Sequence, residues 1–334
     1  MPDKVKKKGV IMSEANSKLP NLTAKTEEFI SMLESQENPP LYTLTPAEAR
    51  AFLDKLQEKT HKVIPADVED TSILTDDSGY VDIRVVCPKD RDEKLPVILY
   101  IHGGGWVMGG KDSFDMLIRK IAVCTNSVVI FPDYSRSPEA EFPKAINEIY
   151  SVLEYIYKNP EQFNIDAERI AIAGDSAGGN MAIVTAMKAK NKNGPKLLYQ
   201  CLFYPVTNAG MDTKSYEAFK DGPWLSKKAM EWFWDAYAPE KKLRNDIYIS
   251  PLHADEEELR GLPPALIITV ENDVLRDEGE AYATKLDSAG VEVINVRVNG
   301  TIHDFLMLNA LFDTQPAIGA MELACTMLKK RLHG

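Results

Sequence analysis

Three apolar runs too short to be helices stand out along the chain: Leu95–Ile101, Arg169–Ala173 and Pro264–Val270. Continuous apolar runs of this length predict strands buried on both faces, as in a parallel sheet. Earlier, Val81, Ile83 and Val85 alternate with Asp82 and Arg84 within two short strand signals spanning about Asp70 to Val86. That period of two predicts an antiparallel piece with one wetter face. Between the strands the period changes to that of a helix. Phe114, Leu117, Ile118, Ile121 and Ala122 share one helical face, and Ala145, Ile149, Val152, Leu153 and Ile156 share another. Further strands are predicted at Ser127–Phe131, Lys196–Tyr204 and Val291–Val298, with a helix ending at Gly290 and a last one over Ala317–Leu332. Strands alternating with helices imply an α/β fold: a mostly parallel twisted sheet covered on both faces.

Two segments stand outside this alternation. Residues 1–69 carry polar helical patterns, Thr23–Ser35 and Pro46–Lys59, and no buried strand. Residues 207–250 interrupt the sheet with Lys227–Tyr237, which holds Trp232, Phe233, Trp234 and Tyr237. That helix reads either as one packed on the core or as the wall of an apolar pocket. The chain thus divides into an N-terminal helical segment, 1–69, and a sheet domain, 70–334, with an insertion at 207–250.

Composition changes this picture little. A net charge of -11, from 39 basic and 50 acidic residues, argues against a nucleic-acid or anionic-membrane surface. Lys4, Lys6, Lys7 and Lys8 precede Val10-Ile11-Met12, an apolar core too short for a signal peptide. A ragged start is expected there, with Met12 as an alternative first residue. No run approaches the roughly 18 apolar residues of a membrane span. Cys87, Cys124, Cys201 and Cys325 show no C-x-x-C spacing and read as buried thiols rather than metal ligands or disulfides. The cytoplasm is the expected compartment.

The chemistry lies at two strand ends. Arg169–Ala173 runs into Gly174-Asp175-Ser176-Ala177-Gly178-Gly179 and then a helix-compatible apolar stretch. G-x-S-x-G between strand and helix is a nucleophile elbow, a strained turn that lifts a serine hydroxyl out of the sheet edge. Leu95–Ile101 runs into His102-Gly103-Gly104-Gly105-Trp106. Consecutive glycines let backbone N–H groups approach a ligand and face a developing oxyanion. H-G-G-G-W followed by G-D-S-A-G-G resembles the hormone-sensitive-lipase-type family of α/β-hydrolase esterases, in its bacterial branch. The resemblance spans about Val97 to Phe305.

That resemblance implies an acid in a D-x-L segment after the third buried strand, which falls on Asp273. Asp277 and Glu271 are the neighbouring rivals. It also implies a histidine in an H-D-F segment, which falls on His303 after the Asn299-Gly300 turn signal. His303 alone among the histidines (His61, His102, His253, His303, His333) fits that place. The implied reaction is hydrolysis of short acyl esters by Ser176, His303 and Asp273, without cofactor or metal. Gly104, Gly105 and Ala177, with Gly103 the weaker member, would supply the oxyanion N–H groups. His102 would brace the glycine turn, and Asp175 would shape the site. Trp106 and Trp224 are the candidate substrate-binding aromatics. The family also implies that 1–69 and 207–250 join as a helical cap, and that the protein forms a homodimer.

Two departures stand out: Val274 where proline is common, and Ser135-Arg136-Ser137 in the middle of Asp133–Glu139. An amidase on the same triad, or a silent binding protein on this scaffold, are the alternative functions. An imidazole base near its ordinary pKa of about 6.5 would set the acid limb of the rate profile.

Overall fold

The computed structural model describes residues 21–334, apart from 37, 59–62 and 92. The charged N-terminal stretch, the alternative start at Met12 and His61 therefore lie outside the described residues. The first helices are α1 (Ala24–Ser35) and α2 (Pro46–Gln57). The sequence starts α2 firmly. The Thr45 side chain takes the Glu48 N–H, the Glu48 carboxylate takes the Thr45 N–H, and Pro46 occupies the first turn, where no donor is needed. The sheet begins with β1 (Asp67–Thr75), β2 (Gly79–Cys87) and β3 (Leu95–Ile101). Then α3 (Asp115–Thr125), β4 (Val128–Pro132), α4 (Lys144–Lys158), the short α5 (Pro160–Phe163), β5 (Ile165–Asp175) and α6 (Ser176–Asn191) alternate. β6 (Tyr199–Phe203) leads into the insertion, which holds α7 (Lys214–Ala218) and α8 (Lys227–Tyr237), and α9 (Glu256–Leu259) follows it. β7 (Ala265–Asn272), α10 (Arg276–Ser288), β8 (Val293–Ile302) and α11 (Gln315–His333) finish the chain.

The eight strands form one sheet in the order β1-β2-β4-β3-β5-β6-β7-β8. β2 pairs antiparallel with β1 and with β4, and every later pairing is parallel. Every residue of β3, β4 and β6 is buried, as strands covered on both faces by helices must be. β3 and β5 lie side by side, so their C-terminal ends bring the glycine turn and the elbow together at one sheet edge. That is where an open α/β sheet offers a crevice.

Three expectations need correction. Asn299-Gly300 is not a turn: β8 continues to Ile302, and Gly300 (φ +73°) sits in a bulge where Val270↔Val298 gives way to Asn272↔Ile302. The ladder absorbs the extra residues because the Gly300 N–H finds Glu271 Oε2 and its carbonyl accepts the Thr23 N–H. Cys124 and Cys325 are not thiols but a disulfide that ties α3 to α11, with Cα atoms 5.8 Å apart and a separation of 201 positions in sequence. Local spacing carries no trace of a pairing made by two helices packed on one sheet face. Cys87 and Cys201 are free and buried. The cytoplasmic expectation thereby loses part of its support, since disulfides persist mainly in oxidising compartments. Finally β1 starts at Asp67, inside the segment assigned to 1–69. Among the described residues no helix is long and apolar enough to cross a membrane.

Candidate active site

β5 stops at Asp175 and α6 starts at Ser176, which holds φ +52°. A non-glycine residue there is strained, and the turn survives because its flanks are glycine. A Cβ on Gly178 would lie 2.0 Å from the Ile101 carbonyl oxygen, so only glycine lets α6 start this close to β3. The Ser176 hydroxyl sits 2.8 Å from His303 Nε2, and His303 Nδ1 lies 2.7 Å from Asp273 Oδ2. Asp273 Oδ1 in turn accepts the Leu275 N–H at 3.0 Å. All three side chains are buried. The rival carboxylates are engaged elsewhere: Asp277 with Arg276 and the Ser215 N–H, Glu271 with the Gly300 N–H.

Burial by itself would hold His303 neutral, but the carboxylates of Asp273 and then Asp304 outweigh it and raise the imidazole to about 9. The value near 6.5 expected from the sequence is therefore corrected upward. Asp304 was not singled out from the sequence, beyond its place in H-D-F. Its Oδ1 lies 3.4 Å from His303 Nε2, and its Oδ2 accepts the Trp224 indole N–H at 2.9 Å.

The glycine turn is held from three sides. The Gly103 N–H donates to Asp175 Oδ1 at 3.0 Å, and Tyr100 donates its hydroxyl to the same oxygen at 2.8 Å. Gly103 is thus corrected: its N–H already has an acceptor and does not face the cleft. Burial pushes the Asp175 carboxyl up to about 7, and its Oδ2 has no hydrogen-bond partner among the described residues. Gly104 and Gly105 hold φ +88° and +61°, and their N–H groups have no acceptor among the described residues. A Cβ on Gly105 would fall 2.2 Å from the Phe233 ring, so α8 rests directly on this glycine.

Below the turn, the His102 ring stacks on Tyr134 at 4.2 Å, and its Nδ1–H donates to the Gly103 carbonyl at 2.8 Å. Burial drops this imidazole to about 3, so it stays neutral. From above, Arg50 on α2 donates Nε–H to the Val107 carbonyl at 2.8 Å and Nη2–H to the Ser137 carbonyl at 2.9 Å, while gripping Glu139 with two bonds. Sequence reading missed Arg50, because nothing local ties a helix in the first segment to a loop 57 residues on.

A cavity of about 80 Å³ opens on Ser176 and His303, walled by Leu225, Met230 and Phe233 from the insertion and by Leu41, Phe52 and Leu53 from the N-terminal segment. Trp224 lines it, but Trp106 does not. The turn through Gly105 sends the Trp106 indole beneath α8, where it is buried, stacked on Tyr237 at 4.3 Å and packed on Trp234 at 4.6 Å. Trp106 is therefore a packing residue and not a wall of the cleft. Among the described residues no three or more His, Cys, Asp or Glu side chains gather as a metal ion would need. The arrangement can draw the proton from one hydroxyl and offer N–H groups to an oxygen beside it.

A family of proteins described by the α/β-hydrolase fold matches residues 98–307. A thermostable esterase from Pseudomonas putida, known from its crystal structure, superposes with a TM-score of 0.92 at 42% identity, covering 95% of this chain and 99% of its own. Carboxylesterase NlhH of Mycobacterium tuberculosis is 34% identical over 286 residues, 85% of this chain and 89% of its own. The ethyl acetate hydrolase of Pseudomonas putida is 33% identical over 254 residues, 75% of this chain and 79% of its own.

Proposed function

The chain belongs to the α/β-hydrolase-fold family, and from that footing we propose that it is a serine carboxylesterase acting on small, short-chain acyl esters. The observation that carries this reading is the unbroken relay Ser176–His303–Asp273, with links of 2.8 and 2.7 Å, at the floor of an apolar cavity. Ser176 Oγ adds to the ester carbonyl while His303 Nε2 takes its proton. The carbonyl oxygen becomes an oxyanion held by the N–H groups of Gly104, Gly105 and Ala177, which cost no reorganisation when charge develops. The C–O bond to the alcohol then breaks, and His303 returns the proton to the departing alkoxide. A water attacks the acyl-Ser176 ester, again losing its proton to His303, and the acid leaves with Ser176 restored. Asp273 holds Nδ1 protonated and stabilises the imidazolium throughout.

The described helices of the N-terminal segment, α1 and α2, and the 207–250 insertion act as a cap over this site, as the wall residues Leu41, Phe52, Leu225 and Phe233 suggest. Free space of about 10–15 Å³ accommodates one water, so a cavity of about 80 Å³ suits acetyl or butanoyl groups better than long chains. The test is a rate series on p-nitrophenyl esters from acetate to palmitate, for wild type and Ser176→Ala side by side. Fast turnover of the short esters that disappears in Ser176→Ala is expected. Activity that survives in Ser176→Ala, or a preference for palmitate, would overturn the reading.

A further inference from the structure

The catalytic cavity has a neighbour that shares part of its wall. Beside it an open chamber of about 680 Å³ is lined by α1, α2 and the 221–224 loop, Trp224 among its wall residues. Leu41, Phe52 and Trp224 belong to the walls of both spaces, so one begins where the other stops. The outer walls are mostly apolar, with Ile30, Leu33, Leu44 and Ala51 among them. The charged groups on its lining are three carboxylates, Glu34, Glu48 and Asp221, against the single ammonium of Lys55.

The partition is held in a costly conformation. Trp224 has φ +67° and Asp304, which receives its indole N–H, has φ +65°. Left-handed backbone is rare for non-glycine residues, so the surrounding fold dictates where this wall stands. Phe29 on α1 packs against the same indole at 5.9 Å.

The side of the serine on which the chamber lies follows from proton transfer. His303 Nε2 must reach the alkoxide oxygen, so the alcohol half of an ester leaves along the His303 side. Asp304 touches that same nitrogen and holds Trp224. We infer that the outer chamber is an alcohol-side subsite. It takes the large apolar, non-anionic alcohol of an ester whose small acyl group fills the inner cavity. Resting on the esterase reading, this adds a substrate class to it: acetates and similar esters of bulky, uncharged or cationic alcohols.

Three alkyl esters with leaving groups of similar basicity test it: ethyl acetate, 2-cyclohexylethyl acetate and ethyl 3-cyclohexylpropanoate. Burial of a six-carbon ring at about 0.8 kcal/mol per CH₂ makes a gain of at least about tenfold in kcat/KM a modest demand. The expected order therefore puts 2-cyclohexylethyl acetate at least about tenfold above ethyl acetate, mainly through KM, with the acyl-bulky ester lowest. Ala51 is exposed on α2, so Ala51→Trp fills the chamber without asking the core to repack. Leu33→Trp fills it from the facing helix. Both variants should erase the gain for the bulky alcohol and leave ethyl acetate within about twofold. An acetate whose alcohol carries a carboxylate should fall about fivefold or more below its neutral isostere, given the acidic lining. An undiminished rate on 2-cyclohexylethyl acetate in both variants sinks the inference while leaving the esterase intact. So does a selective loss on the acyl-bulky ester. No Ser176-dependent turnover of ethyl acetate in the wild type would instead sink the esterase reading, and the subsite with it.

Discussion

Asp304→Asn should move the acid limb of the rate profile more than any change outside the relay itself. In the wild type a carboxylate oxygen stands 3.4 Å from His303 Nε2, on a side chain only 18% exposed. Two unit charges at that distance attract by about 1.2 kcal/mol in water and about 5 kcal/mol at an effective dielectric of 20. At about 1.36 kcal/mol per unit, removing the charge lowers the imidazole by about one to three and a half units, with the lower half of that range expected for a side chain still touching solvent. The base works only when neutral, so kcat/KM rises with pH through the imidazole pKa, which sits at about 9 in the free site. A downward shift of one unit makes Asp304→Asn about tenfold faster than wild type at pH 7, with convergence above pH 10. Asparagine retains an oxygen for the Trp224 indole, so the pocket wall stays in place. The assay is kcat/KM on p-nitrophenyl acetate from pH 5 to 10, corrected for spontaneous hydrolysis, for wild type, Asp304→Asn and Trp224→Phe. Trp224→Phe breaks the indole bond and keeps the charge; its midpoint should match the wild type even if KM changes. Asp273 and Asp175 also face His303 and are untouched in both variants. A midpoint that stays within about 0.3 units in Asp304→Asn, or moves equally in Trp224→Phe, would refute the electrostatic argument.

Three further outcomes are expected. Asp273→Asn should lose roughly four orders of magnitude in kcat, because the amide cannot hold the imidazole in its working tautomer, whereas Asp277→Asn stays near wild type; the reverse ranking in single-turnover rates would reassign the acid. Gly105→Ala places a methyl 2.2 Å from the Phe233 ring at φ +61°, so two to three orders of kcat/KM should go with the displaced donor. Adding Phe233→Leu should recover part of that loss, and a double-mutant cycle with no coupling would show the ring and the turn to be independent. Cys124→Ser opens a loop of 201 residues, for which chain entropy gives up to about 5 kcal/mol of lost stability. Urea unfolding with and without reductant measures it, and activity at 25 °C should not change.

How much of this was legible beforehand depended on range. β3, β5 and β7 were readable because strands buried on both faces must be apolar throughout, and the two glycine motifs were readable because strained turns leave few residue choices. Ser176, Asp273 and His303 stand far apart in sequence yet meet at strand ends, which a known order of motifs anticipates. Trp106 was misplaced because composition marks an indole as apolar without saying which side of a turn it takes. Gly103 is the weaker oxyanion donor by sequence, but only the position of Asp175 shows that its N–H is turned inward. The Cys124–Cys325 link, the bulge at Gly300 and the reach of Arg50 are products of tertiary packing, for which a local pattern holds no information.

The N-terminal helices bear on how the molecule comes into being. Arg50 grips the turn beside the oxyanion donors, Gln57 donates to the carbonyl of Met307 just past His303, and the Thr23 N–H joins the Gly300 carbonyl. Two of these partners thus stand some 250 positions or more further along the chain. While most of the chain is being synthesised, α1 and α2 have only part of their docking surface. No nascent intermediate can hydrolyse anything, because His303 and the strand that carries it are still missing. The working site is thus assembled only once the segment around position 303 has met the helices around position 50.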